Sequence, residues 1–120
     1  MSHLRLAIVA AVLVIFAAAG AYIIFFSAKS YTPQNVTFDV TVTGANTMKP
    51  SVLSVHQNDT VTINITSDTA GEVHLHGYDI PFDTTVGQVT SHTFKAVNTG
   101  NFDIEWESTS TPLGSLKVNP

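Results

Sequence analysis

Apolar residues repeat with two different periods along this chain. Residues 6–26 ("LAIVAAVLVIFAAAGAYIIFF") form an uncharged apolar run of 21 residues. As a helix rising ~1.5 Å per residue, the run would extend ~30 Å, the thickness of a bilayer's hydrocarbon core. From Val36 onward the period is two. "VTFDVTVTG" sets Val36, Phe38, Val40 and Val42 on one face and Thr37, Asp39, Thr41 and Thr43 on the other. "VLSVH" precedes a second alternating run, "TVTINIT", with Val61, Ile63 and Ile65 inward. "EVHLHGY" puts Val73 and Leu75 on one face, and "QVTSHTFKA" is a further strand. "GNFDIEWES" sets Phe102, Ile104 and Trp106 against Asp103, Glu105 and Glu107, and "GSLKVNP" turns Leu116 and Val118 inward. The turn signals "TGAN", "HQND", "SDTAG", "VGQ" and "NTGN" separate these runs, and no amphipathic helix pattern follows residue 30. About seven short strands at this spacing predict an all-β sandwich.

The two periods divide the chain into an N-terminal signal-anchor transmembrane helix (residues 1–27), a linker (28–35) and one extracytoplasmic β domain (36–120). The small residues of "AAAGAY" would suit signal cleavage, but Ile23, Ile24, Phe25 and Phe26 carry the apolar run past an ordinary signal-peptide core. An uncleaved single-pass anchor is therefore expected, with the lipid bilayer as partner through residues 6–26. Arg5 and Lys29 oppose each other across the run and give little positive-inside bias, so the orientation rests on the short N-terminus, which favours the cytoplasmic side for Met1.

Charge narrows the partners. All nine acidic residues follow the apolar run, against four lysines from residue 28 onward, which gives that part a net charge of −5 with neutral histidines. Nucleic-acid binding needs a basic face and is excluded. With no cysteine, the chain forms no disulfide and carries no lipidated N-terminal Cys. Three Asn-x-Thr triplets, at Asn35, Asn58 and Asn64, suit an exposed surface in an organism that glycosylates outside the membrane. No nucleophile elbow, phosphate loop or acid/base pair of differing environment is visible, so no enzyme is expected.

The order of elements resembles the cupredoxin family, plastocyanin-like Greek-key sandwiches that usually bind copper. "VLSVHQNDTVTINI" looks like the family's strand, turn and strand, and "VHLHGYD" stands where the family places its first histidine ligand. "VGQVTSHTFKAVNTGNFDIEW" looks like the hairpin and turn that lead into the ligand strand, and "PLGSLKV" resembles the closing strand. The resemblance covers roughly residues 36–120. It departs at the ligand loop. The family's Cys position falls on or near Trp106, its His position in "STST" and its Met position near Pro112. A blue-copper centre needs a cysteine thiolate, so neither it nor the dinuclear purple centre forms here. "HLHG" also resembles the His-x-His-Gly of multicopper oxidases, whose His-Cys-His is absent. Membrane-anchored cupredoxin-like proteins, including those of iron-uptake systems, look most similar.

Residues i and i+2 of a strand share a face, with Cβ atoms ~7 Å apart. His74 and His76 therefore present two imidazoles side by side. With antiparallel pairing of "FDIEWE" to this strand, Glu105 and Glu107 would meet them across the sheet. Two imidazoles with one or two carboxylates suit copper(II) or zinc, with Tyr78 and Asp79 as auxiliaries. The same residues also make ordinary cross-strand charged pairs on a solvated face. His56 reads as an exposed turn residue. His92 reads as partly buried or a third ligand, Met48 as a loop residue packing on the core or an axial thioether, and Trp106 as core filler.

Two functions follow. One is a membrane-anchored cupredoxin-like protein that binds copper, or zinc, at His74, His76, Glu105 and Glu107 for delivery, sensing or storage. The other is a metal-free accessory or structural subunit of a membrane or cell-surface complex. A pilin-like filament with a bundled apolar helix is a third and weaker expectation.

Overall fold

The computed structural model describes residues 30–120. The expected transmembrane helix and the first two linker residues lie outside the described residues. Among the described residues no helix is long and apolar enough to cross a membrane. Residues Pro33–Pro120 form one compact unit.

Nine strands follow in order: β1 (Asn35–Thr43), β2 (Thr47–Lys49), β3 (Val52–His56), β4 (Thr60–Ser67), β5 (Gly71–Leu75), β6 (Ile80–Thr84), β7 (Val89–Lys95), β8 (Gly100–Trp106) and β9 (Thr111–Asn119). A 3₁₀ turn, Glu107–Thr109, joins the last two. Two mixed sheets result, ordered β2-β1-β4-β7 and β3-β9-β8-β5-β6. β1 runs parallel to β4 and β3 parallel to β9, while the other pairs are antiparallel.

The strand count exceeds the expected seven through β2 and β6. Three residues, with only Met48 facing inward, leave β2 no visible period. β6 contains Pro81, which cannot donate to a ladder. The sheet tolerates it because β6 is an edge strand, paired with β5 on one side only.

The alternation read from the sequence becomes the core. Val40, Val42, Val61, Ile63 and Ile65 of one sheet pack with Leu53, Val55, Val73, Leu75, Phe82, Ile104, Leu116 and Val118 of the other, all nearly inaccessible. Each such side chain contributes roughly 1.5–3 kcal/mol on burial. Trp106 fills the core at 4% exposure, as expected. Its indole lies so close to Gly71 that a side chain there would overlap it. Met48 is also core, on β2 rather than in a loop.

Two aspartates fasten the turns. Asp59, 1% exposed, accepts the backbone N–H groups of Gln34 and His56 at 2.8 Å each and so ties the start of β1 to the β3–β4 turn. The Asp68 carboxylate accepts the Gly44 N–H at 2.8 Å and the Thr69 hydroxyl at 2.9 Å, joining the β1–β2 and β4–β5 turns. These bonds hold its pKa below the ordinary value, the Gly44 bond most of all.

Candidate metal centre

The site lies on the outer face of the five-stranded sheet, behind Val73 and Leu75. β5 pairs antiparallel with β8, and His74 stands directly opposite Glu105. Parity puts Glu72 on the same side of β5 as His74. The strand proper ends at Leu75, so His76 belongs to the turn, not to the strand expected for it. Its N–H still donates to the Asp103 carbonyl at 2.9 Å, which extends the ladder by one bond and keeps the ring on the outer face. Gly77 (φ 80°) and Asp79 (φ 53°) then reverse the chain into β6. At the other end of β8 the backbone winds into the 3₁₀ turn at Glu107, and this brings that carboxylate back toward β5.

Two imidazoles and four carboxylates gather there. His74 Nδ1 lies 3.5 Å from Glu72 Oε2 and 3.7 Å from Glu107 Oε2. His74 Nε2 lies 3.0 Å from Asp79 Oδ1. His76 Nε2 lies 2.6 Å from Glu105 Oε1. That carboxylate oxygen sits off the ring N–H axis, and Nε2 is buried without an aligned hydrogen-bond partner. The two rings are 4.7 Å apart between centroids and inclined by 48°. His74 is the most enclosed member, with 16% of its side chain exposed, and Asp79 the least, with 92%.

The donor atoms fall into two groups, Glu72–His74–Glu107 and His76–Glu105–Glu107, each with its atoms within 4.8 Å of one another. No Lys or Arg pairs with these carboxylates among the described residues. Four like charges so close repel one another, and a bound cation or a protonated imidazole relieves that repulsion. Nitrogen and oxygen donors without sulfur suit copper(II) or zinc.

The structure thus brings together all four residues singled out from the sequence and adds Glu72. Asp79 joins them. Tyr78 does not: its ring packs on Phe94 and Phe102, and its hydroxyl donates to the Asn98 carbonyl at 2.6 Å. Burial raises the Tyr78 pKa. His92 is exposed on the edge strand β7, edge-on to Phe82 at 4.9 Å, and belongs to neither donor group. His56 is an exposed turn residue, as expected.

No family model matches the chain, and no curated protein matches it. Solved structures do match. The metal-binding domain of the Streptococcus pneumoniae D39 Cu(I)-exporting P-type ATPase CopA, with Cu(I), superposes with a TM-score of 0.61 at 12% identity, over 76% of this chain and 100% of that one. A chain of a heme-copper terminal oxidase dimer gives 0.59 at 14% identity, over 94% of this chain and 95% of that one. Auracyanin B gives 0.55 at 13% identity, over 77% and 94%. The fold is cupredoxin-like.

Proposed function

We propose that this is a membrane-anchored, extracytoplasmic cupredoxin-like protein that binds copper(II), or a similar divalent ion, through His74 and His76 with Glu105 and Glu107. Its role is metal delivery, sensing or storage, without catalysis. The observation that carries this reading is the His76 nitrogen, buried 2.6 Å from a carboxylate oxygen with no aligned hydrogen bond. Two Lewis bases held that close are favourable when a cation beside them binds both. Copper is supported by the CopA domain, a copper exporter's metal-binding unit of the same fold. Carboxylate oxygen favours the cupric over the cuprous ion. The chain's own residues orient the donors: the β5–β8 ladder aligns His74 with Glu105, and Asp79 stands at the far nitrogen of His74, where a carboxylate fixes a ligating ring. A copper(II) ion held there would supply a Lewis-acidic centre with nitrogen and oxygen ligands. Blue-copper electron transfer is ruled out by the missing thiolate.

Calorimetric titration of the detergent-solubilised full chain with Cu(II) tests the reading. Micromolar or tighter binding is expected, weakened at least about tenfold in the His74→Ala/His76→Ala double variant. Binding weaker than about millimolar, or unchanged in the variant, sinks it.

The alternative, a metal-free accessory subunit of a membrane complex, draws support from the oxidase chain. That chain belongs to a heme-copper terminal oxidase dimer and shares the sandwich fold at a TM-score of 0.59. Migration of the extracted protein alone as a monomer counts against it.

A further inference from the structure

We infer that the outer-face cluster holds two divalent ions, bridged by Glu107, and that Glu72 is a ligand of the second. This deepens the proposed metal binding and rests on it. Neither donor group contains both histidines. His74 offers Nδ1 to Glu72 and Glu107, whereas His76 offers Nε2 toward Glu105. The rings therefore serve different sets of carboxylates. Each set has one imidazole and two carboxylates, and Glu107 alone belongs to both. A carboxylate has two oxygens and can bind one ion with each, the usual way adjacent ions are held ~3.5–4 Å apart.

Two further features point to the His74 set as a binding site in its own right. Asp79 Oδ1, 3.0 Å from Nε2, stands where a carboxylate would hold the proton on that nitrogen and leave Nδ1 basic. His74 is also the most enclosed group of the cluster, so its ligand geometry is the best fixed. Charge agrees: four carboxylates with no paired Lys or Arg balance two divalent cations. Water completes each coordination shell on the open side. Zn(II) and Cu(II) both suit a set of one nitrogen and two oxygens.

The test uses the full chain in detergent, titrated with Zn(II) and then with Cu(II). Wild type should take two equivalents. Glu72→Gln should take one, and Glu105→Gln should lose the other. Glu107→Gln should weaken both by about tenfold or more. Far-UV circular dichroism checks that each outward-facing variant keeps the fold. Copper-loaded wild type gives an independent reading: two bridged Cu(II) ions couple magnetically and should show less spin than the copper bound. A single equivalent untouched by Glu72→Gln overturns the inference and leaves single-ion binding standing, whereas uncoupled full-intensity spin at two equivalents overturns the shared Glu107 bridge and leaves the metal binding itself standing. Loss of all binding in wild type overturns both.

Discussion

His76 is held in place by a glycine. Gly77 adopts φ 80°, a conformation that costs other residues ~1–3 kcal/mol, and a Cβ there would enter the Phe102 ring. Gly77→Ala is expected to destabilise the domain by roughly 2 kcal/mol in chemical denaturation. It should also weaken metal binding, because relief of the clash moves the neighbouring imidazole. Full stability in that variant would mean that the turn relaxes freely. At this scale the sequence was informative where parity alone decides. Outward positions on "EVHLH" and "DIEWE" were readable, and the sheet seats His74 against Glu105 as pairing required. Glu72 shares that parity, but nothing in the chain separates it from other exposed acids until the fold places Glu107 beside the same ring. Asp59 was hidden for the opposite reason. A charged turn residue reads as solvated, whereas in the fold the N–H groups of Gln34 and His56 pair with this carboxylate as it is buried.

Among the elements, long alternating strands were legible and short ones were not. β4 buries every second residue from Val61 to Ser67, so the period fixes its identity. β2 and β6 owe their existence to neighbours that supply a ladder, β1 and β5, and their own residues carry too little pattern to announce them. The turns between elements carry a testable electrostatic contribution. The Asp68 pKa is depressed in the folded state, so the folded protein binds its proton less readily than the unfolded chain. Its stabilisation is present above the ordinary value of 3.8 and is lost as pH falls through the lower folded-state value. Asp68→Asn should therefore lower the melting temperature at neutral pH, and the difference from wild type should shrink in scans below about pH 3.8. A gap that persists unchanged to the lowest pH would show that the amide fails for reasons of shape, not charge.

For the whole domain, the decisive feature is that the core and the cluster of donor side chains lie on opposite sides of one sheet. Val73 and Leu75 are fully buried under the residues that bear the donors, and Trp106 fills the core beside them. The apolar interior is therefore complete without an ion. Structural zinc domains behave differently, since their binding energy is their folding energy. Here a metal should add only mass-action stabilisation: at a free concentration of one hundred times Kd, a single site contributes ~2.7 kcal/mol. For a domain of this size, that raises the melting temperature by about 10–20 °C. Thermal scans of the full chain should thus give a cooperative transition with a chelator present, shifted upward by Cu(II) or Zn(II), with a smaller shift in His74→Ala/His76→Ala. A chelated protein without a cooperative transition would put the ion inside the folding energetics and refute a cluster that merely rides on a finished sandwich. An upward shift undiminished by loss of both imidazoles would move the binding site elsewhere on the acidic surface.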